Sequence, residues 1–235
     1  VRYPPLVLAV LGIMLSCHMA WGQSWLDQPA APGPMVAEVG RASLHLPPGT
    51  WELLGEEGHG SGAYNASGAQ KVYLQVDGGA IASVVFVSAN TEVPSGHRAH
   101  WLVPSSCGVR NPDILFSDDR DIDNNNGRFD CLQVGVIDFA PRTGSVAWAA
   151  LLKRASSLGG VPPWWLYALF AQSSRSAFDE TTVLVLVNPR APGLTAALAR
   201  RPPPNASSAA ARARVGEIMA EWARGYRATV AKALE

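Results

Sequence analysis

Between Asp118 and Asp130 the sequence reads DDRDIDNNNGRFD, a string dense in carboxylate and amide oxygens. A hard cation such as Ca²⁺ is held by roughly six to eight oxygen ligands, because only a full shell of them replaces its hydration. Asp121, Asp123 and Asn125 carry oxygens at alternate positions and Asp130 adds a later carboxylate, so these four are the candidate calcium ligands. The same composition also suits a solvated turn, since Asp and Asn hydrogen-bond to nearby backbone without any ion. Histidine works near neutral pH as acid, base or metal ligand. His97 and His100, followed by Trp101, form one pair, and His59 lies alone between glycines. A hydrolase using His97 or His100 is one reading, although no GxSxG elbow, HExxH helix or SxxK string accompanies them.

The acidic string resembles an EF-hand-type calcium loop over part of its length, with Gly127 one residue late, Asn126 at the turn position and no closing glutamate. Trp164, Trp165 and Tyr167 are candidate ligand-binding residues, because aromatic faces suit a sugar, peptidoglycan or aromatic ligand. Along a strand the two tryptophans point to opposite faces, which also suits one in the core and one under the C-terminal helix. Gly58, Gly60 and Gly62 miss the GxGxxG spacing, which argues against a phosphate loop. Asn-Ala-Ser at 65–67 and 205–207 matches the glycosylation acceptor pattern and is incidental in a bacterial host.

The three cysteines divide by position. Cys17 falls in a segment with the order of an export signal: a lone charge at Arg2, an apolar run from Leu6 to Leu15, then Ala20 and Gly22 placed three and one before a cut ahead of Gln23. The run is well short of the roughly 20 apolar residues that span a bilayer, so cleavage is expected rather than a retained anchor. Met14, Leu15, Ser16 and Cys17 resemble the lipobox of bacterial lipoproteins, with methionine where leucine is usual. That resemblance implies a lipid anchor at Cys17, the one route by which a membrane would be a partner. Residues 1–22 are therefore read as a signal peptide, 23–35, rich in Pro, Ala and Gly, as a flexible leader, and 36–235 as a single domain. Cys107 and Cys131 remain, and an isolated pair in an oxidising compartment reads as a disulfide contributing roughly 3 kcal/mol. A zinc site joining this pair to His97 and His100 is the alternative, but the spacing matches no familiar zinc pattern.

With Arg2 removed, 18 basic residues face 19 acidic ones, and no basic stripe argues for nucleic acid or an anionic membrane. The full chain is 48% hydrophobic, and the remaining residues, about 210, suffice for one sizeable core; no further apolar run is long enough to span a bilayer, so the mature chain is expected to be soluble. Richness in Ala, Gly, Arg and Pro suits a high-GC bacterial genome.

The elements that must position these groups follow from periodicity and turns. Ala42–Leu46 and Trp51–Leu54 flank a Pro-Pro-Gly-Thr turn and read as short strands. Gln70–Val76 and Ile81–Ser88 bracket Asp-Gly-Gly at 77–79 and predict a hairpin. Leu132–Phe139, Trp164–Phe170 and Thr181–Val187 supply further strands, the last two paired. Gly55–Gly68 is expected to be an exposed loop, and Asn90–Asp130 a long excursion pinned by the disulfide. Ser145 is placed to cap a helix to about Ser157, ended by Gly159 and Gly160. From Asn205 or Ser207 onward, Val215, Ile218, Met219, Trp222, Tyr226, Val230 and Leu234 recur at helical spacing.

The expected fold is α+β: a mostly antiparallel sheet of about six strands, one mid-chain helix and a long amphipathic C-terminal helix. The expected role is a non-catalytic binding or envelope-associated domain of a bacterium, periplasmic or secreted. Its partner would be an envelope protein or a small ligand. A calcium-stabilised structural domain and the histidine hydrolase are the alternatives.

Overall fold

Alternating apolar residues dominate the strands. In β4 (Ala66–Asp77), Val72 and Leu74 point to one face while Ala69 and Tyr73 point to the other, and all four are buried. A strand with both faces buried must lie inside a covered sheet. The computed structural model describes residues 26, 32–61, 66–92, 107–108, 113–123, 125–138, 146–174, 179–191 and 209–235. Besides β4 these comprise β1 (Val36–Val39), β2 (Ala42–His45), β3 (Glu52–Ser61), β5 (Ala80–Asn90), β6 (Ile114–Asp123), β7 (Arg128–Asp138), α1 (Val146–Ser156), β8 (Trp164–Ser173), β9 (Glu180–Val187) and α2 (Ala209–Lys232).

Seven strands form one antiparallel sheet in the order β3-β4-β5-β9-β8-β7-β6, and β1-β2 is a separate hairpin. Two meanders, β3-β4-β5 and β6-β7-β8-β9, meet at a seam where Val85 pairs with Val185 and Val87 with Val183. The β4-β5 turn at Gly78 and Gly79 has φ of 58° and 79°, values that glycine reaches without steric cost.

One face of the sheet is covered by α2 and the β1-β2 hairpin. Met219, Trp222, Tyr226 and Val230 of the helix pack with Leu132, Leu166, Phe170 and Val185. Trp222 stacks on Tyr226 at 4.9 Å between ring centroids, and Phe170 meets Tyr226 edge-on at 5.7 Å. The Tyr226 hydroxyl donates to the backbone oxygen of His45, tying the helix to the hairpin. Leu26 is buried in this cluster, and Gly33 N donates to Leu46 O at 2.7 Å, so packed structure begins ahead of β1. On the opposite face α1 lays Leu151 and Ala155 over Val72, Leu74 and Trp165. Gly160 N donates to Ala155 O at 2.9 Å and ends that helix. No helix among the described residues is long and apolar enough to cross a membrane.

The α+β class, the antiparallel sheet, the Asp-Gly-Gly hairpin, the β8-β9 pairing and both helices agree with the sequence reading. Three segments differ. Gly55–Gly68 was expected to be a loop, yet most of it extends β3 and β4 in continuous register from Gly55↔Val72 to Ser61↔Ala66. The Asn90–Asp130 excursion contains the ten-residue strand β6. Both misread strands lie on the outer edges of the sheet, where one side of the backbone has no partner strand and the polar sequence shows no clean alternation. Val36–Val39, placed at the start of the domain without an assigned element, pairs with Ala42–His45.

Candidate functional site

The DDRDIDNNNGRFD string folds as the end of β6, a turn, and the start of β7, so its carboxylates are distributed around a hairpin instead of circling one point. Asp123 closes the turn: its Oδ1 accepts from Asn125 N at 3.0 Å and Asn126 N at 3.2 Å, and its Oδ2 accepts from Asn126 Nδ2 at 2.6 Å. These bonds, the Asn126 side chain first, hold the Asp123 carboxyl below the usual range. Asp130 points toward α2. Asp121 sits in the bulge between Arg120 and Asp123 with φ of 49°, the one non-glycine among the described residues in the left-handed region. Asp123 is thus occupied with the turn and Asp130 with α2, and no group of three His, Cys, Asp or Glu side chains able to hold a metal occurs among the described residues.

Asp130 belongs to a half-buried ion cluster around a buried arginine. Arg227, projecting from α2 and only 6% exposed, donates Nε to both Asp130 carboxylate oxygens at 2.9 and 3.0 Å. The same guanidinium reaches the backbone oxygens of Asp118 at 2.9 Å and Asp130 at 2.8 Å, and pairs with the Asp118 carboxylate at 2.9 Å. Arg120, followed by Arg227, holds the Asp118 carboxyl below its ordinary value. One helical side chain thus locks the two strands of the β6-β7 hairpin to α2.

Beside this cluster the sheet end and the helix end enclose a cleft of about 610 Å³. The bulge supplies Asp121, and the start of β7 supplies Arg128, Phe129 and Asp130. Gln172, Ser173 and Ser174 come from the end of β8, Asp179 from the approach to β9, and Ala231, Leu234 and Glu235 from the end of α2. Gln172 is 4% exposed; its Nε2 donates to Asp130 Oδ1 at 2.6 Å, while its Oε1 has no hydrogen-bond partner. Asp179 is paired with Arg41, and Arg128 lies 3.8 Å from Asp123. The sequence reading singled out Asp121 and Asp130 for a metal but missed the cleft. Gln172 and the end of α2 lie far away in sequence and carry no motif.

The other candidates lie elsewhere. Trp165 is 0% exposed in the core under α1 and presents no face to a ligand. Tyr167 shares that side of the sheet, its hydroxyl pKa raised by burial. Trp164 points to the opposite face and lines a cleft of about 140 Å³ with Asp113, Val136 and Asp138. The three aromatics therefore do not form one surface. Cys107 and Cys131 are joined in a disulfide, with Cα atoms 5.7 Å apart, packed against Phe129 and Ala171. His97, His100, Cys17 and the signal segment 1–22 lie outside the described residues, as does most of the leader 23–35.

Glu180 follows Asp179 at the start of β9, where burial pushes its carboxyl up to about 7. A folded pKa raised above the unfolded value makes the protonated form the stable one. This contribution is fully present below about pH 4.5 and lost as pH rises through 7. Urea melts of wild type should lose about 2–3 kcal/mol between those limits, and Glu180→Gln should abolish that slope. Parallel pH profiles for the two proteins would contradict the assignment.

No protein-family model matches the chain, and no curated protein matches it. Among solved structures it resembles the ligand-binding domain of a protein from Bordetella bronchiseptica described as a GntR-family transcriptional regulator. That likeness has a TM-score of 0.31 and 10% identity, covering 68% of this chain and 90% of the other.

Proposed function

We propose that this chain is a non-catalytic binding domain of the bacterial envelope, exported to the periplasm or secreted, with a small ligand seated in the cleft between the β6-β7 hairpin, the end of β8 and the end of α2. The observation that carries the reading is the cleft itself, about 610 Å³ walled by the β6-β7 hairpin, the end of β8, the approach to β9 and the end of α2. The neighbouring charges are fixed on one another, Asp130 on Arg227 and Asp179 on Arg41, which suits a rigid binding wall more than proton transfer. A volume of about 610 Å³ is within the range of small-molecule sites. The disulfide is the support for an oxidising compartment.

Thermal melting of the full chain with an ultrafiltered small-molecule extract of bacterial periplasm tests the reading. A ligand at a hundredfold excess over its Kd should raise Tm by roughly 5–10 °C. Ala231→Trp, at an exposed helix position lining the cleft, should remove the rise by filling the space. A Tm that the extract leaves unmoved, or raises equally in the tryptophan variant, counts against the cleft.

A further inference from the structure

We infer that the Cys107–Cys131 bond is a redox switch that a dithiol opens in the folded protein, with Asp119 positioned to receive a thiol hydrogen once the bond is open. Asp119 pairs directly with Cys131 across β6 and β7, which sets their Cβ atoms about 4.5–5.5 Å apart on one face of the sheet. The Asp119 Oδ2 accepts from Gly108 N at 2.9 Å, and this bond draws the same carboxylate against the residue that follows Cys107. Both half-cystines therefore flank one carboxylate. Its remaining oxygen, Oδ1, is buried and has no hydrogen-bond partner.

A buried acceptor needs a donor, and a disulfide has none to offer. Reduction turns a neighbouring sulfur into an S–H group, so the orphan oxygen disfavours the closed state and is satisfied in the open one. The two sulfurs are also unequally reachable, since Cys131 is 3% exposed whereas Cys107 is partly exposed beside the exposed Gly108. One thiolate of the dithiol attacks Cys107 Sγ, the S–S bond breaks, and Cys131 departs with the electron pair and is protonated. The second thiol of the reductant then attacks the mixed disulfide and releases Cys107. Two electrons and two protons have passed to the protein, and the reductant leaves as a disulfide. Cys131 packs against Phe129, which lines the cleft, so the opening reaches that wall.

The test equilibrates the full chain at neutral pH in mixtures of reduced and oxidised dithiothreitol, traps thiols with iodoacetamide and counts them by mass, with near-UV circular dichroism reporting the fold. Wild type should open reversibly while its near-UV spectrum persists, and the amide resonance of Phe129 should move with the thiol count. Asp119→Asn keeps an oxygen for Gly108 N but turns an NH₂ group to the place of Oδ1, so its equilibrium should favour the disulfide about tenfold more than that of wild type. Cys107→Ala holds Cys131 as a lone thiol, whose infrared S–H stretch should lie lower than in Cys107→Ala combined with Asp119→Asn. Wild type that opens only as it unfolds would overturn the switch. An exchange equilibrium unchanged in Asp119→Asn, or one S–H frequency shared by both lone-thiol variants, would overturn the role of Asp119. A Phe129 resonance indifferent to the thiol count would sever the switch from the cleft and leave the cleft standing.

Discussion

Arg227→Met should destabilise the protein by about 3–5 kcal/mol, measured as the loss of unfolding free energy in urea. The size follows from what the substitution leaves behind. Arg227 is buried and makes four hydrogen bonds to groups of the β6-β7 hairpin, two to the Asp130 carboxylate and two to backbone oxygens. Methionine fills much of the space but donates nothing, so the Asp130 carboxylate keeps only Gln172 and the Asp118 and Asp130 carbonyls lose the guanidinium. Arg227→Lys keeps the charge without the planar fork and should fall between the two. Arg227→Met combined with Asp130→Leu should recover part of the loss, because the stranded charge is then gone. A single-variant cost below about 1 kcal/mol would show that the cluster is solvated and does not fasten the helix to the hairpin.

Opening the Cys107–Cys131 bond is the second large effect. The crosslink closes a loop with a sequence separation of 24, and removing it should cost about 3 kcal/mol, chiefly by freeing the unfolded chain. Cys131 is buried against Phe129 and Ala171, so the Cys107→Ala, Cys131→Ala double variant keeps the site apolar and isolates the covalent contribution. Wild type melted in reductant should lose the same amount. Protein isolated from its host with thiol traps present should give no free thiol at either position. Two free thiols, with a melt insensitive to reductant, would remove the support for an oxidising compartment.

What the residues disclosed in advance depended on how strongly local chemistry constrained them. Asp-Gly-Gly between alternating apolar runs specified the β4-β5 hairpin, and the stripe from Val215 to Val230 specified α2, because each signal sits within a few residues. Of the edge strands, only the start of β3 was legible, at Trp51–Leu54, and β6 was not. Their order comes from pairing with β4 and β7, and glycines or acidic residues on a half-exposed edge look like loop. The site was legible only in part. The alternate oxygens of Asp121, Asp123 and Asn125 were visible as a string, but the bulge after Arg120 and the closure of the turn on Asp123 were not. The pairing of Gln172 with Asp130 bridges 42 residues and that of Arg227 with Asp130 bridges 97, distances over which no spacing rule operates.

The seam between the two meanders has a consequence for the order in which the chain emerges. β5 carries no charged residue and includes the run Val84–Val87, and its partner β9 begins only at Glu180. During N-to-C-terminal synthesis, or threading through a pore, the first meander is complete while one side of β5 still lacks its neighbour. An uncharged, β-branched run with open backbone groups readily recruits a second copy. The nascent polypeptide is therefore most exposed to self-association in that interval, and a holding chaperone would act there.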